Sequence, residues 1–475
     1  MVFSSFTFVT MFLPLVIVLH FLSKNIHWRN GVLLVFSMLF YSWGEPVWVL
    51  AMLFSTLVNY GFGLAISRSS SPLGRKVMLA LAAVVSLMFL AYFKYSSFLE
   101  NTVNAILGIQ AVAPPKTLPI GISFYTFQIL TYTVDVYRKK TPAQKNPFLL
   151  LLYISFFPQL IAGPIVQYGD VEPMLRKRTT SIEGVTGGMG RFVIGLSKKI
   201  LLANVCGTAL ASLPAAGSGE GLSFAGSWVS MVLFALQIYF DFSGYSDMGI
   251  GMAKAFGFTF KENFNYPYVS KSISEFWRRW HMSLGSFFRD YVYIPMGGNK
   301  VGKARLVLNL AFVWMLTGLW HGASWNFILW GVYYGVIIIL ERLVYGKLLA
   351  RLPGAVQIVY SLALVLIGWA LFYYEDLGQG LSHISAMLGY GAQEMIDAKT
   401  MFVLKDKALF LPLALLACLP FKNWAERILR GLPNWPVGFA VALPVAKYSA
   451  LSILLVLSML MLVGQSYNPF LYFRF

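Results

Sequence analysis

The chain has 475 residues, 58% of them hydrophobic and only 12% charged, with a mean hydropathy of +0.67. Soluble domains carry roughly 25% charged residues, so this composition excludes a string of water-soluble modules. Lys and Arg number 37 against 19 Asp and Glu, a formal charge of +18. These basic residues cluster in short loops between apolar runs, which points to a membrane and to anionic headgroups, not to nucleic acid.

Apolar stretches near 6–22, 31–43, 47–66, 77–98, 119–137, 148–167, 190–210, 227–253, 306–328, 328–345, 356–374, 408–420 and 438–464 follow one another from end to end. They predict an all-α polytopic membrane protein, a single domain over 1–475 with about 11–13 membrane helices. The first run has no basic n-region and no clear cleavage site, so it reads as a retained span. Lys24 and Arg29 follow it, which favours an outside N-terminus. Pro119-Ile120-Gly121, and Phe157-Pro158 with Gly163-Pro164, interrupt later runs. Backbone broken at that depth survives only when buried in protein or lining a wet cavity. Cys206 and Cys418 lie in apolar surroundings and supply neither a disulfide framework nor a zinc-ligand spacing, and no metal site is expected.

Three segments carry polar groups within this apolar frame. In Gln237–Gly251, Gln237, Asp241 and Tyr245 share a helix face, while Asp247 lies with Ser243, Gly251 and Lys254 on another. Carboxylates in an apolar span must be paired, protonated or facing water. Pairing with a cation of the 254–305 stretch explains them as well as catalysis does, so both aspartates and Tyr245 are expected as structural support or substrate contacts. From Ser270 to Tyr291 the apolar residues Ile273, Phe276, Trp277, Trp280, Leu284, Phe287, Phe288 and Tyr291 recur at helical spacing. Ser272 and Glu275 read as a capping box. The pattern predicts one amphipathic helix on the cytoplasmic side, with Arg278 and Arg279 on its polar side and His281 along its apolar stripe. In Trp314–Asn326 the sequence WMLTGLWHGASWN puts His321 within a run of spanning length. A histidine at that depth is a functional candidate by default, and burial favours the neutral, proton-accepting imidazole. If the helix continues, Thr317, Gly318, Ser324 and Trp325 are its neighbours, with Asn326 close by. The competing reading is a histidine hydrogen-bonded between helices.

The blocks QIYFDFSGYSDMGIG (Gln237–Gly251), EFWRRWHMSL (Glu275–Leu284) and GLWHGASW (Gly318–Trp325) resemble the membrane-bound O-acyltransferase family. With the opening MVFSS, LPIGISFYTFQ from Leu118, FPQLIAGPI and the tail NPFLYFRF, they are most similar to its bacterial alginate O-acetyltransferase branch, over nearly the whole chain. The resemblance implies helices around a central tunnel in a bacterial inner-membrane enzyme. Acetyl-CoA would enter from the cytoplasm as cosubstrate, with no tightly bound cofactor, and the acceptor hydroxyl from the opposite face. It implies His321 as the catalytic histidine and His281 as its second signature histidine, with Arg278 and Arg279 as contacts to the anionic CoA. The implied product is an O-acetylated exported or cell-envelope polysaccharide, reached through an extracytoplasmic acetyltransferase partner. In the tail Ser466–Phe475, Tyr472 is by this resemblance a possible acyl carrier, although an aromatic anchor at the membrane interface explains the same residues. Two other classes fit buried His and Asp groups: a transporter or flippase with a proton relay, and a scaffold without chemistry. The chain lacks the symmetry-related broken segments of many transporters.

Overall fold

The computed structural model describes residues 1–114, 117–160, 163–421, 437–464 and 471, and every regular element among them is helical. Among the described residues, eight helices are long and apolar enough to cross a membrane: Trp48–Arg68, Pro72–Leu107, Ile182–Ala211, Phe224–Ala255, Lys303–His321, Trp325–Leu349, Gly354–Tyr373 and Pro444–Gly464. Shorter or more polar helices pack among them, including Phe8–Phe21, Ile26–Gly44, Ile122–Tyr137 and Pro147–Ser155. The chain is a multi-pass membrane protein. Both expected interruptions occur: Ile122–Tyr137 starts from Gly121 at φ +78°, and Pro147–Ser155 gives way at Phe156 to a four-residue turn, Phe157–Leu160.

Helix starts follow local chemistry. Side-chain oxygens of Asn25, Ser71, Asn146, Ser181, Ser223, Ser272, Asp376 and Asp397 each accept a main-chain N–H of the following first turn. Charge then separates the two ends of the bundle. Loops 45–47, 108–121, 212–223 and 374–397 carry six carboxylates (Glu45, Glu220, Glu375, Asp376, Glu394, Asp397) against a single cation, Lys116. The opposite end holds Arg138, Lys139, Lys140, Arg178, Lys261, Lys271 and Arg289, and its loops are laced together. Arg138 donates to Asp290 O, Arg178 to Phe256 O, and Arg191 pairs with Glu262.

Two helices form the centre. Ile122–Tyr137 is buried on nearly all faces, as is Phe224–Ala255. Small residues let Ile182–Ala211 approach the latter closely: a Cβ on Gly188 would strike Gly251 O, and one on Gly195 would strike Gly244 O. Five π-helical segments widen helices locally, at Phe8–Phe12, Ala91–Tyr95, Lys198–Ala203, Arg289–Tyr293 and Glu341–Tyr345. Three of them carry the inward-turned ionisable groups Lys94, Lys199 and Glu341.

Two sequence expectations are corrected. The Ser270–Tyr291 stretch is not one helix but two, Ile273–Arg279 and Met282–Phe288, broken where His281 takes φ 44°, ψ 53°. The capping box is half made: Ser272 Oγ accepts the Glu275 N–H, but the Glu275 carboxylate takes the N–H of Lys271, one residue further back. Likewise the helix does not run on through His321. Gly322 is extended, and Ser324 and Trp325 start the next helix.

The glycine seam yields a test. Gly195→Leu should destabilise the fold by about 1–3 kcal/mol through overpacking, read as a lowered thermal midpoint in detergent. Gly31→Ala, inside helix Ile26–Gly44 where a Cβ meets nothing within 4 Å, should not lower the midpoint.

Candidate active site

His281 is buried at 1% exposure, and its position comes from contacts outside its own helix. Helix Ile273–Arg279 is held at its start by Glu341, whose carboxylate accepts the N–H groups of Ile273 (2.7 Å) and Ser274 (2.8 Å) and the Ser274 hydroxyl (2.6 Å). The helix closes at Trp280, and His281 turns into the left-handed region, which costs a non-glycine residue about 1–3 kcal/mol. Asn263 holds that turn. Its main-chain O accepts the Met282 N–H (2.9 Å), and its Oδ1 accepts from the Ser283 N–H, the Ser283 hydroxyl and His281 Nδ1 (3.2 Å). Nδ2 of Asn263 donates to Ser246 Oγ at 3.1 Å. With Nδ1–H turned to Asn263, the network assigns His281 the tautomer whose Nε2 carries a lone pair.

His321 closes its helix at 3% exposure within an aromatic box. Its ring lies 4.8 Å from Trp330 and 5.3 Å from Phe372, centroid to centroid, both edge-on. Trp320 touches both imidazoles, 4.9 Å from His321 and 5.7 Å from His281, while Phe242 borders His281 at 4.6 Å. The two histidines, 40 residues apart in the chain, therefore flank one indole.

A cavity of about 890 Å³ reaches His281. Its charged lining comes from the basic end: Lys271, Arg278, Arg289 and Arg342 are exposed at its rim, and the carboxylates of Glu275 and Glu341, engaged with Arg279 and with the start of helix Ile273–Arg279, also line it. Deeper in, Trp277, Trp280, Leu284, Phe288, Trp314 and Thr317 line it, and His281 lies in its wall. Apolar within and basic at its rim, it suits a molecule with an apolar arm and an anionic head. Among the described residues no three His, Cys, Asp or Glu groups gather as a metal site.

The remaining candidates fall in different places. Arg278 reaches the cavity; Arg279 instead pairs with Glu275 at 2.8 Å and donates to Asn265 O. Asp247 pairs with Arg191 and Lys198, each at 2.7 Å, and Asp241 with Lys199 at 2.6 Å, so the cations come from helix Ile182–Ser197 and the π segment after it and not from 254–305. Asp241 Oδ2 also accepts the N–H of Leu471 at 2.7 Å, which places Leu471 against the buried core. Tyr245 shares a hydrogen bond with Ser4. Asn326 donates to Tyr374 O at 2.6 Å, Ser324 is the residue before Trp325–Leu340, and Trp325 is 54% exposed against Phe98. Tyr472 lies outside the described residues. His383, uninterpreted in the sequence, is structural: its Nε2 faces Ser227 O, its Nδ1 the Tyr374 hydroxyl, and burial pushes its imidazole down to about 4.

Sequence reasoning missed Asn263, Glu341 and Lys94. Asn263 sits in a connection with no periodicity to mark it. Glu341 and Lys94 are lone charges in or beside apolar runs, and the rule that singled out His321 would have found them.

The model of the membrane-bound O-acyltransferase family matches residues 125–365. Over the full length of both proteins the chain is 36% identical to a probable alginate O-acetylase of Azotobacter vinelandii. It is 30% identical to a peptidoglycan O-acetyltransferase of Helicobacter pylori, covering 82% of this chain and 80% of that one. A teichoic acid D-alanyltransferase of Bacillus subtilis is 32% identical over 47% of this chain and 60% of its own.

Asn263→Ala removes the acceptor of a buried imidazole N–H and of the Ser283 hydroxyl. Unpaired buried donors cost about 1–3 kcal/mol each, so the variant should show a lowered thermal midpoint in detergent. An unchanged midpoint would mean that the His281 turn is held by other contacts.

Proposed function

Because the chain belongs to the membrane-bound O-acyltransferase family and is an acyltransferase, we propose that it moves acetyl from acetyl-CoA to a hydroxyl acceptor on the way to an exported or cell-envelope polysaccharide. The observation that carries this reading is the cavity with an exposed basic rim and a tryptophan-lined interior ending at His281, one indole from His321. Arg278, Arg289, Arg342 and Lys271 supply the charge that anionic phosphates need. The apolar walls suit the narrow pantetheine arm and keep water from the thioester. Basic loops face the cytoplasm in membrane proteins, so the rim opens where acetyl-CoA is made, and the bacterial inner membrane is the setting.

In this mechanism the acceptor hydroxyl approaches from the acidic end. Neutral His321 takes its proton as the oxygen attacks the thioester carbonyl. Collapse of the tetrahedral adduct breaks the C–S bond, and the CoA thiolate recovers the proton from the imidazolium. An acetyl ester and free CoA leave. Base assistance of this kind is typically worth about 10²–10⁴-fold, and alignment of two substrates in a dry channel supplies more. His281, oriented by Asn263, faces the thioester from the cavity wall. Alginate-, peptidoglycan- and teichoic-acid-directed relatives differ in acceptor, so an extracytoplasmic acetyltransferase partner is the proposed source of polymer choice. Tyr472 is the proposed first acceptor in the chain itself. Supporting this, its neighbour Leu471 is hydrogen-bonded to the buried Asp241.

Purified protein incubated with acetyl-CoA tests the reading by CoA release and by intact mass. His321→Ala should lower release by about 10²–10⁴-fold, and wild-type release by that variant at normal abundance would sink the mechanism. Arg278→Ala should raise the KM for acetyl-CoA several-fold with little change in kcat. An acetyl mass on the wild type that disappears in Tyr472→Phe supports the carrier; CoA release without any adduct rejects it.

A further inference from the structure

The helix that ends on His321 stops inside the protein, where its last carbonyls cannot turn to water. Each of the four has an identified partner. The Gly322 N–H returns to Gly318 O at 3.4 Å. The Tyr95 hydroxyl donates to Leu319 O at 2.6 Å. Lys94 Nζ donates to Trp320 O at 2.5 Å and lies 3.3 Å from His321 O, with Ser123 Oγ of the central helix at 3.5 Å. One adjacent pair of residues thus satisfies three of the four carbonyls from more than 220 positions away in sequence.

That pair belongs to the π-helical segment Ala91–Tyr95, the kind of local widening that recurs at functional sites. Lysine is also suited by charge. An ammonium at a helix C-terminus meets the negative end of the helix dipole and offers three donors to two carbonyls. No carboxylate pairs with Lys94 among the described residues. Its cost of burial is offset by the helix end, with Ser123 Oγ beside it.

We propose that Lys94 is a positioning residue for His321: its ammonium caps the helix across the bundle and fixes the main chain from which the imidazole projects. The proposal rests on the reading of His321 as the base. Lys94 does not line the acetyl-CoA cavity, so its loss acts on the chemical step and not on cosubstrate binding. A displacement of about 1 Å at a reacting group costs on the order of 10²-fold in rate.

The experiment measures kcat and KM for acetyl-CoA in the full-length protein for Lys94→Met, Lys94→Arg, Tyr95→Phe and His321→Ala, each with its thermal midpoint. Expected are a fall in kcat of about 10–100-fold in Lys94→Met with KM unchanged, substantial recovery in Lys94→Arg, and a few-fold loss in Tyr95→Phe. A wild-type kcat in Lys94→Met overturns the proposal. So does a loss that arginine fails to restore or that merely tracks the loss of folded protein. If His321→Ala is inactive while Lys94→Met is unimpaired, the positioning role alone falls. If His321→Ala is fully active, the reading of the base falls and takes this proposal with it.

Discussion

Within a bilayer every main-chain N–H and C=O must find its partner inside the protein, and the architecture of this chain follows from how it meets that demand at each break. Unbroken helices meet it by themselves. Every interior break recruits side chains from neighbouring elements instead. Near Gly121, Ile120 O accepts the Tyr41 hydroxyl at 2.9 Å. Around the turn Phe157–Leu160, Ser37 accepts the Phe157 N–H, Gln159 donates to Tyr153 O, and Tyr153 donates to Val166 O. The Ile165 N–H reaches Ser283 Oγ at 3.0 Å, which joins this turn to the His281 break. Both histidine positions are breaks of the same kind, soldered by Asn263 in one case and by Lys94 with Tyr95 in the other. The placement of both imidazoles thus depends on polar groups that also satisfy the backbone.

Buried charge obeys a parallel rule. Lys199 and Asp241, or Asp247 with Arg191 and Lys198, pair across the seam between the helices Ile182–Ala211 and Phe224–Ala255. Such pairs add little net stability, because desolvation offsets their attraction, but a removed partner leaves a costly lone charge. They hold the register of the glycine seam, where van der Waals contact supplies the attraction. Glu341 and Lys94 differ in spending their charge on helix ends, at the start of Ile273–Arg279 and the end of Lys303–His321. Those two helix ends carry the cavity wall and His321. The imidazoles themselves lie among tryptophans and phenylalanines.

The composition and the apolar runs were enough to establish an all-α membrane protein, and loop charge was enough to separate its two ends. His321 was legible because a histidine in a spanning run is costly, and His281 because it stands among helically spaced aromatics. The break at His281 was not legible: Ile273, Phe276, Trp277, Trp280 and Leu284 keep helical spacing straight through it. Asn263, 18 residues upstream, holds the chain in its turn there. The partners of Asp241 and Asp247 escaped for the same reason, since they come from a helix more than 40 residues away and not from the nearby basic stretch.

What the sequence determined by itself is what local pattern encodes: which segments avoid water, where caps start helices, and which polar side chains are too costly at depth to be incidental. The tertiary structure alone decided which of those groups meet. Lys94 and His321 are separated by 227 positions, and neither segment's periodicity records the other. Their meeting follows from the packing of whole helices, because the partner that a buried carbonyl needs is supplied by whichever neighbour the fold brings within hydrogen-bonding distance.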